Sequence, residues 1–267
     1  MAKSIRAARP LGLILHRGTS PFDGKPYVVI MPLGKSSNKK TGGMLQTHII
    51  RSHVHPVVAV RNGGDSSICG NCLLRGVFAK RKRPGKGKRR RKCYVQVGQG
   101  PGSVYRAFRR GRYVDYDPLL HAKYIKGRMV RFGSYGEPVL IPLWLMYHLA
   151  DLSGGKWTGY THQWADPRFA EYKRFLMASV HGVRGPESAE HAHHLGWRTF
   201  RTDNGSLQPG EILCPASAEA GKRLTCFECG VCRGIGIDGH ALHQVSVFIK
   251  PHGGKAVMTA TKSLPAA

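Results

Sequence analysis

Between residues 129 and 202 short runs of β-branched and apolar residues alternate with longer stretches whose apolar residues fall on one helical face. MVRFGSY, KWTGYTHQW, FLMASVHG and WRTFRT read as strands bounded by Gly, Pro or polar residues. Between them PVLIPLWLMYHLADLSG, DPRFAEYKRF and GPESAEHAHHLG read as helices. Pro142 suits only a first turn, Asp166 is an N-cap followed by Pro167, and Gly196 is placed to stop the third helix. This alternation predicts βα units, hence an α/β fold with a parallel sheet or a partial (β/α) barrel spanning residues 61–254. In such folds ligands bind at the C-terminal ends of strands. Those ends carry Tyr135, Gly136 and Glu137, then Thr161, His162 and Gln163, then Ser179 and His181, then Arg201 and Asp203.

The pattern is weaker elsewhere. Residues 1–60 read as a loop-rich extension with two strands, in KPYVVIMPL and MLQTHIIRSHV, separated by the polar loop GKSSNKKTGG. That loop lacks the order of a phosphate-binding P-loop. Further on, YVQV reads as a strand, GQGPGS as a turn and SVYRAFRRG as a short basic helix. VSVFIKPHGG, residues 245–254, reads as a last strand, followed by a tail over 255–267.

Cysteine spacing adds chemistry to this frame. Cys226, Cys229 and Cys232 follow C-x2-C-x2-C, and Cys214 stands upstream, before Pro215. A compact trio with one remote Cys before a proline is a ferredoxin-like way to supply four thiolates to an iron–sulfur cluster. Structural zinc, which usually draws on two separated ligand pairs, is the alternative, and buried thiols without metal are a third. Cys69, Cys72 and Cys93 form a second set, which leaves a cluster one ligand short or completes a zinc site with a histidine. Clustered cysteines in odd number favour metal over disulfides in a reducing compartment.

Charge narrows the partner. The 267 residues carry a net charge of +27 with 41% hydrophobic residues, so a sizeable core coexists with a strongly basic surface. Residues 1–114 hold 25 Lys and Arg against Asp23 and Asp65, a balance of +23. The densest run is a basic insertion at 80–92 made of Lys80, Arg81, Lys82, Arg83, Lys86, Lys88, Arg89, Arg90, Arg91 and Lys92, broken by Pro84, Gly85 and Gly87. Arg106, Arg109 and Arg110 recur at helical spacing beside Tyr105 and Phe108. Basic residues interleaved with aromatics suit nucleic acid, through phosphate contacts and base stacking. No apolar run reaches the length of a membrane span, and the N-terminal apolar piece is too short for a signal peptide, so a cytoplasmic protein is expected. His53-Val54-His55 offers another reading: a His–hydrophobe–His pair on one strand face holds the metal of rolling-circle replication nucleases.

CGNC…CYV, TGYTHQW, LCPASAEAGKRLTCFECGVC and VSVFIKPHG together resemble an uncharacterised bacteriophage family, sometimes called gene-product-eighty-eight-like, over most of residues 40–254. The arrangement also resembles a divergent radical S-adenosylmethionine enzyme. That resemblance implies a partial barrel in which Cys69, Cys72 and Cys93 hold a [4Fe–4S] cluster whose open iron binds S-adenosylmethionine. It implies too that the turn GSYGEP, with Gly133, Gly136 and Glu137, meets the cofactor's amine, and that Cys214, Cys226, Cys229 and Cys232 hold an auxiliary cluster. The chain departs from that superfamily in spacing, C-x2-C-x20-C in place of C-x3-C-x2-C. A non-enzymatic, metal-stapled nucleic-acid-binding protein is the alternative function.

Overall fold

The structure is a computed structural model that describes residues 9–34, 36, 39–75, 91–221, 224–237 and 245–251. Among these residues it contains ten strands: β1 (Gly12–Thr19), β2 (Pro26–Pro32), β3 (Leu45–Arg51), β4 (Val114–Asp115), β5 (Val130–Tyr135), β6 (Trp157–Thr161), β7 (Met177–Val180), β8 (Thr199–Thr202), β9 (Glu211–Leu213) and β10 (Ser246–Ile249). The α-helices are α1 (Pro56–Asn62), α2 (Ser66–Cys69), α3 (Gly100–Arg109), α4 (Pro118–His121), α5 (Leu143–Leu152), α6 (Ala189–His194) and α7 (Cys226–Cys229). No helix among the described residues is long and apolar enough to cross a membrane.

All ten strands join one sheet in the order β4-β1-β2-β3-β5-β6-β7-β8-β10-β9. β2 pairs antiparallel with both β1 and β3, and every other pairing is parallel, so β2 alone runs against the rest. The predicted α/β fold with a mainly parallel sheet is therefore present. Residues 12–51 differ from the loop-rich expectation, because they supply three strands whose Leu13, Ile30 and Ile49 are fully buried in the main core. Tyr94–Val97, expected as a strand, is irregular and turning; among the described residues its alternation has no neighbouring strand to pair with. Asp166 does cap the segment after β6, accepting from Arg168 N at 3.0 Å, but Pro167–Arg174 is a 3-10 helix.

The two faces of the sheet differ in chemistry. Strand alternation puts Phe132, Gly159, Ala178 and Val180 on the face that packs into the main core with Phe175 and Leu176. Gly159 is needed there, since a Cβ would lie 2.5 Å from Leu176 Cδ2. The register pairs Arg131 with Thr158, Tyr160 with Met177 and Ser179 with Phe200, which puts these residues on the other face. Tyr135 and His48 share that face, and His162 and His181 continue the alternation just beyond β6 and β7. A bulge in β5 sets the register: Gly133, at φ +70, donates its N–H to Thr47 Oγ1 at 2.8 Å.

Candidate metal centres

Cys69 closes α2, a short helix after β3 in which Asp65 O accepts from Ile68 N and Cys69 N at 3.2 and 2.9 Å. Gly70, at φ +49, turns the chain, and Cys72 N donates to Cys69 O at 3.1 Å. The chain returns beside this turn after the basic insertion: Lys92 N and Cys93 N both donate to Leu74 O, at 3.0 and 2.8 Å. Cys93 thus rejoins Cys69 and Cys72 despite its distance in sequence. The thiols feel one another. Burial first, then Cys72, Asp65, Glu137 and Cys93, push Cys69 well above the usual thiol range. Burial also raises Cys93, against the opposing pull of Arg91. Thiols held like this ionise only if a cation joins them, as metal binding provides.

The end of β5 brings Glu137 to the same place. Its N–H donates to Ile68 O at 2.7 Å, tying the GSYGEP turn to α2. Tyr27 Oη and Tyr172 Oη donate to Leu140 O and Ile141 O at 2.6 and 2.9 Å, pinning the segment that leads into α5. Glu137 is buried and accepts from Thr161 Oγ1 (2.7 Å), His162 N (3.1 Å) and His162 Nδ1 (3.0 Å). Cys72 Sγ, a Glu137 carboxylate oxygen and a His162 ring nitrogen lie within 4.8 Å of one another. Burial opposes a charge on His162, but Cys72 and Glu137 outweigh it and hold the imidazole well above the usual histidine range. His181 stacks on His162 at 5.8 Å, and burial, then His162, push it down to about 4.

The turn residues expected to meet a cofactor amine face the protein itself. A Cβ on Gly133 would lie 2.8 Å from Pro138 Cδ, and one on Gly136 would lie 2.7 Å from Ile49 Cβ. Their positive φ angles serve the bulge and the close approach to β3. The Glu137 carboxylate is likewise taken up by Thr161 and His162.

The second group gathers on the same face of the sheet, beside Tyr160 and Met177. Cys214 leaves β9 with its N–H on Phe248 O at 2.8 Å. Cys226 and Cys229 bracket α7, which opens on a capping box between Thr225 and Glu228 and closes on Gly230 at φ +62. Cys232 O accepts from Gly159 N at 3.0 Å, and Cys214 and Cys232 pack with Met177, Val247 and Ile249. Burial pushes Cys232 up to about 12; Tyr160, as hydrogen-bond donor, opposes this, while Cys214, Cys226 and Cys229 add to it. Cys214 is raised by burial and by Cys226 and Cys229. All four thiols therefore share one neighbourhood. A cleft of about 420 Å³, lined by Cys229, Gly230, Phe227, Trp157, Arg198 and Arg233 among others, opens beside Cys229.

Between the groups the polar face of the sheet is unsatisfied. His48 Nδ1, Arg131 Nε, Tyr135 Oη, Thr158 Oγ1, His162 Nε2 and His181 Nε2 are buried without a hydrogen-bond partner. Folded proteins leave few such atoms, and each calls for an explanation such as a bound ion.

Of the expected nucleic-acid residues, Lys80 to Arg90 lie outside the described residues. Arg91 donates to Val95 O at 2.7 Å, and Lys92 lies near enough to His181 to lower its pKa. On α3, Arg106 donates to Ser103 Oγ at 3.0 Å, Arg109 reaches Ser52 O and His53 Nδ1, and Arg110 is exposed. His53 and His55 follow β3 and do not share a strand face. His55 caps α1 by accepting from Val57 N at 3.2 Å and packs edge-on against Tyr105. Arg201 and Asp203, expected at a ligand-binding strand end, form a buried ion-pair network with Glu211.

No family model matches the chain, and comparison with curated proteins and with solved structures finds no match.

Spacing makes the cysteines legible, whereas His162, His181, Arg131 and Tyr160 carry no spacing signal. His162 and His181 are visible in the sequence only as residues at strand ends.

Proposed function

We propose that this is an iron–sulfur protein that holds two clusters on one face of its sheet and binds nucleic acid at the basic edge beside the first. The observation that carries the reading is the gathering of all seven cysteines into two groups on the face that bears the unsatisfied polar atoms. Spacing favours clusters over single zinc ions. Zinc bound tetrahedrally at Zn–S of about 2.3 Å keeps its sulfurs about 3.8 Å apart. Among the described residues only Cys72, Glu137 and His162 converge within 4.8 Å; neither group brings three thiols that close. A cubane spreads its thiolates more widely than one ion does. Arg131 and Arg198 stand near Cys232, and cations there would offset the negative charge of a thiolate-bound cluster. The partial-barrel form of the fold would wrap this face around both groups.

Nucleic-acid binding is supported by placement. Arg91 and Lys92 lead directly into Cys93, and α3 follows the same segment with Arg106, Arg109 and Arg110. S-adenosylmethionine has no place in this reading, because Glu137 and the two glycines are engaged by the protein. Anaerobic purification with iron, sulfide and zinc analysis tests the proposal. A brown protein with about eight iron and eight sulfide per chain is expected, four of each per cubane. Zinc without sulfide would overturn it.

A further inference from the structure

We infer that Cys72, Glu137 and His162 form a site for a single zinc ion, which the first group fills when it holds no cluster. The inference rests on the cluster reading only for the alternative state. In that state Cys69, Cys72 and Cys93 take the cluster. Cys72 belongs to both sets, so the group holds either the ion or the cluster.

Spacing separates the two sets. Cys72 Sγ, a Glu137 carboxylate oxygen and a His162 ring nitrogen lie within 4.8 Å of one another. Ligands of one zinc ion, each about 2.0–2.3 Å from it, stand roughly 3.3–3.8 Å apart. A small inward movement of three side chains closes the difference, whereas ligands on separate irons of a cubane stand wider apart. Thiolate, imidazole and carboxylate together suit zinc, while magnesium and calcium call for oxygen ligands alone.

The three ligands come from three segments that hydrogen bonds tie together. Glu137 N donates to Ile68 O on α2 at 2.7 Å. Gln163, next to His162, donates from Nε2 to Cys69 O at 3.3 Å and accepts from Asn71 N at 3.4 Å. The turn that carries Cys72 is thereby bonded to the end of β6. Gly70 permits this approach, since a Cβ there would lie 2.6 Å from Gln163 Oε1. Within the site, Thr161 Oγ1 and His162 N hold Glu137 Oε2 at 2.7 and 3.1 Å, which leaves Oε1 facing the ring, 3.0 Å from His162 Nδ1. Glu137 is buried and Cys72 nearly so. A carboxylate and a thiolate here have little water around them, and a cation stabilises both. Zinc displaces the Cys72 thiol proton and the proton shared by Nδ1 and Oε1. Three protein ligands leave the ion a fourth position for water.

The test counts zinc retained on dialysis by the metal-free full chain and its variants, with circular dichroism to confirm folding. His162→Asn and Glu137→Gln should each retain one zinc fewer than wild type, and Cys93→Ala should retain as much. Either of the first two decides if the other fails to fold. Anaerobic iron and sulfide loading should give the opposite pattern: Cys93→Ala loses about four iron, and His162→Asn loses none. With zinc bound first, wild type should take up about four iron fewer than His162→Asn treated alike. Wild-type zinc content in His162→Asn or Glu137→Gln, or loss of that zinc in Cys93→Ala, overturns the site. Equal iron uptake after zinc overturns the exclusion of one state by the other. Wild type that takes up no iron defeats the cluster reading, and the exclusion with it, while the zinc counts still decide the site.

Discussion

Tyr160 and His162 stand two residues apart on one face at the end of β6, and each serves a different cysteine group. Tyr160 lies beside Cys232, where its hydroxyl favours the thiolate, and His162 meets Cys72 and Glu137. Two residues of strand span about 7 Å, so the two groups are close neighbours. Arg131 joins them from β5: its guanidinium lies over the Tyr160 ring at 5.7 Å, and it interacts with Tyr94, next to Cys93, and with Cys226 and Cys232.

Tyr160→Phe removes the hydroxyl beside Cys232 and leaves the ring in place. A hydrogen bond to a cluster sulfur stabilises its negative charge and raises the potential. On the iron–sulfur reading, the variant should keep wild-type iron and sulfide while one of two redox transitions moves to lower potential. A redox titration with both transitions unmoved would show that Tyr160 does not touch a ligand.

The buried network at Arg201 should matter for stability alone. Arg201 bonds Glu211 at 2.6 and 2.7 Å, pairs with Asp203, donates to Ser206 O and lies over Phe248 at 4.3 Å. Arg201→Met strands Glu211 without its partner, and breaking a buried pair costs about 3–5 kcal/mol. The denaturation midpoint should fall accordingly, while nucleic-acid affinity of the folded protein at low temperature should not change. Glu211→Gln should cost less, because it leaves no carboxylate unpaired.

His48 should make the fold sensitive to mild acid. Burial, then Arg131, push its pKa from 6.5 down to about 4. The native imidazole therefore stays neutral while the unfolded one takes a proton below pH 6.5. Its penalty is absent above that pH, grows as pH falls toward 4 and is complete below it. Between pH 7 and pH 5 this amounts to about 2 kcal/mol. His48→Asn should lose that share of the pH dependence, whatever its effect at pH 7. Urea melts of both proteins at pH 7 and pH 5 compare the two slopes, and equal slopes would exclude His48 as the source.

The basic edge should set the salt dependence of nucleic-acid binding. Removing residues 80–90 takes out eight Lys and Arg and spares Lys92 and Cys93, which bond Leu74 O. On a single-stranded oligonucleotide, log K falls against log salt by about 0.7 per phosphate neutralised. The deletion should flatten that slope by several units. Changing Arg106 and Arg110 to Ala should flatten it by about one more. A slope that the deletion leaves intact would move the contact surface to α3.

The sequence is most legible where local pattern and sheet position agree. β5 to β8 are short runs rich in apolar and β-branched residues set between Gly, Pro and capping residues, so MVRFGSY, KWTGYTHQW, FLMASVHG and WRTFRT all fall on strands. β1 escapes the pattern because GLILHRGT turns polar halfway, where it leaves the core. β9 has only three residues and owes its existence to β10. YVQV shows the reverse error, a good strand pattern with nothing beside it to bond among the described residues. At the centres, the cysteines announce themselves by spacing, but the role of His162 depends on a register that brings β5 and β6 ends together. Glu137 stands out in the sequence for its GEP turn, whereas the structure gives its carboxylate to His162. Propensity cannot foresee that pairing, because both partners are ordinary strand-end residues until the sheet forms.

The position of β10 has a consequence for the order in which the molecule can mature. β10 lies inside the sheet, between β8 and β9, although the ribosome makes it after both. Cys214 gives its N–H to Phe248 on that strand, and Val247 and Ile249 pack against Cys214 and Cys232. A nascent chain that has released residues up to 237 already contains every cysteine and can close the first group, yet it lacks the wall of the second. On the iron–sulfur reading, loading is thus stepwise, the first centre during synthesis and the second only once residues 246–249 slide into the gap.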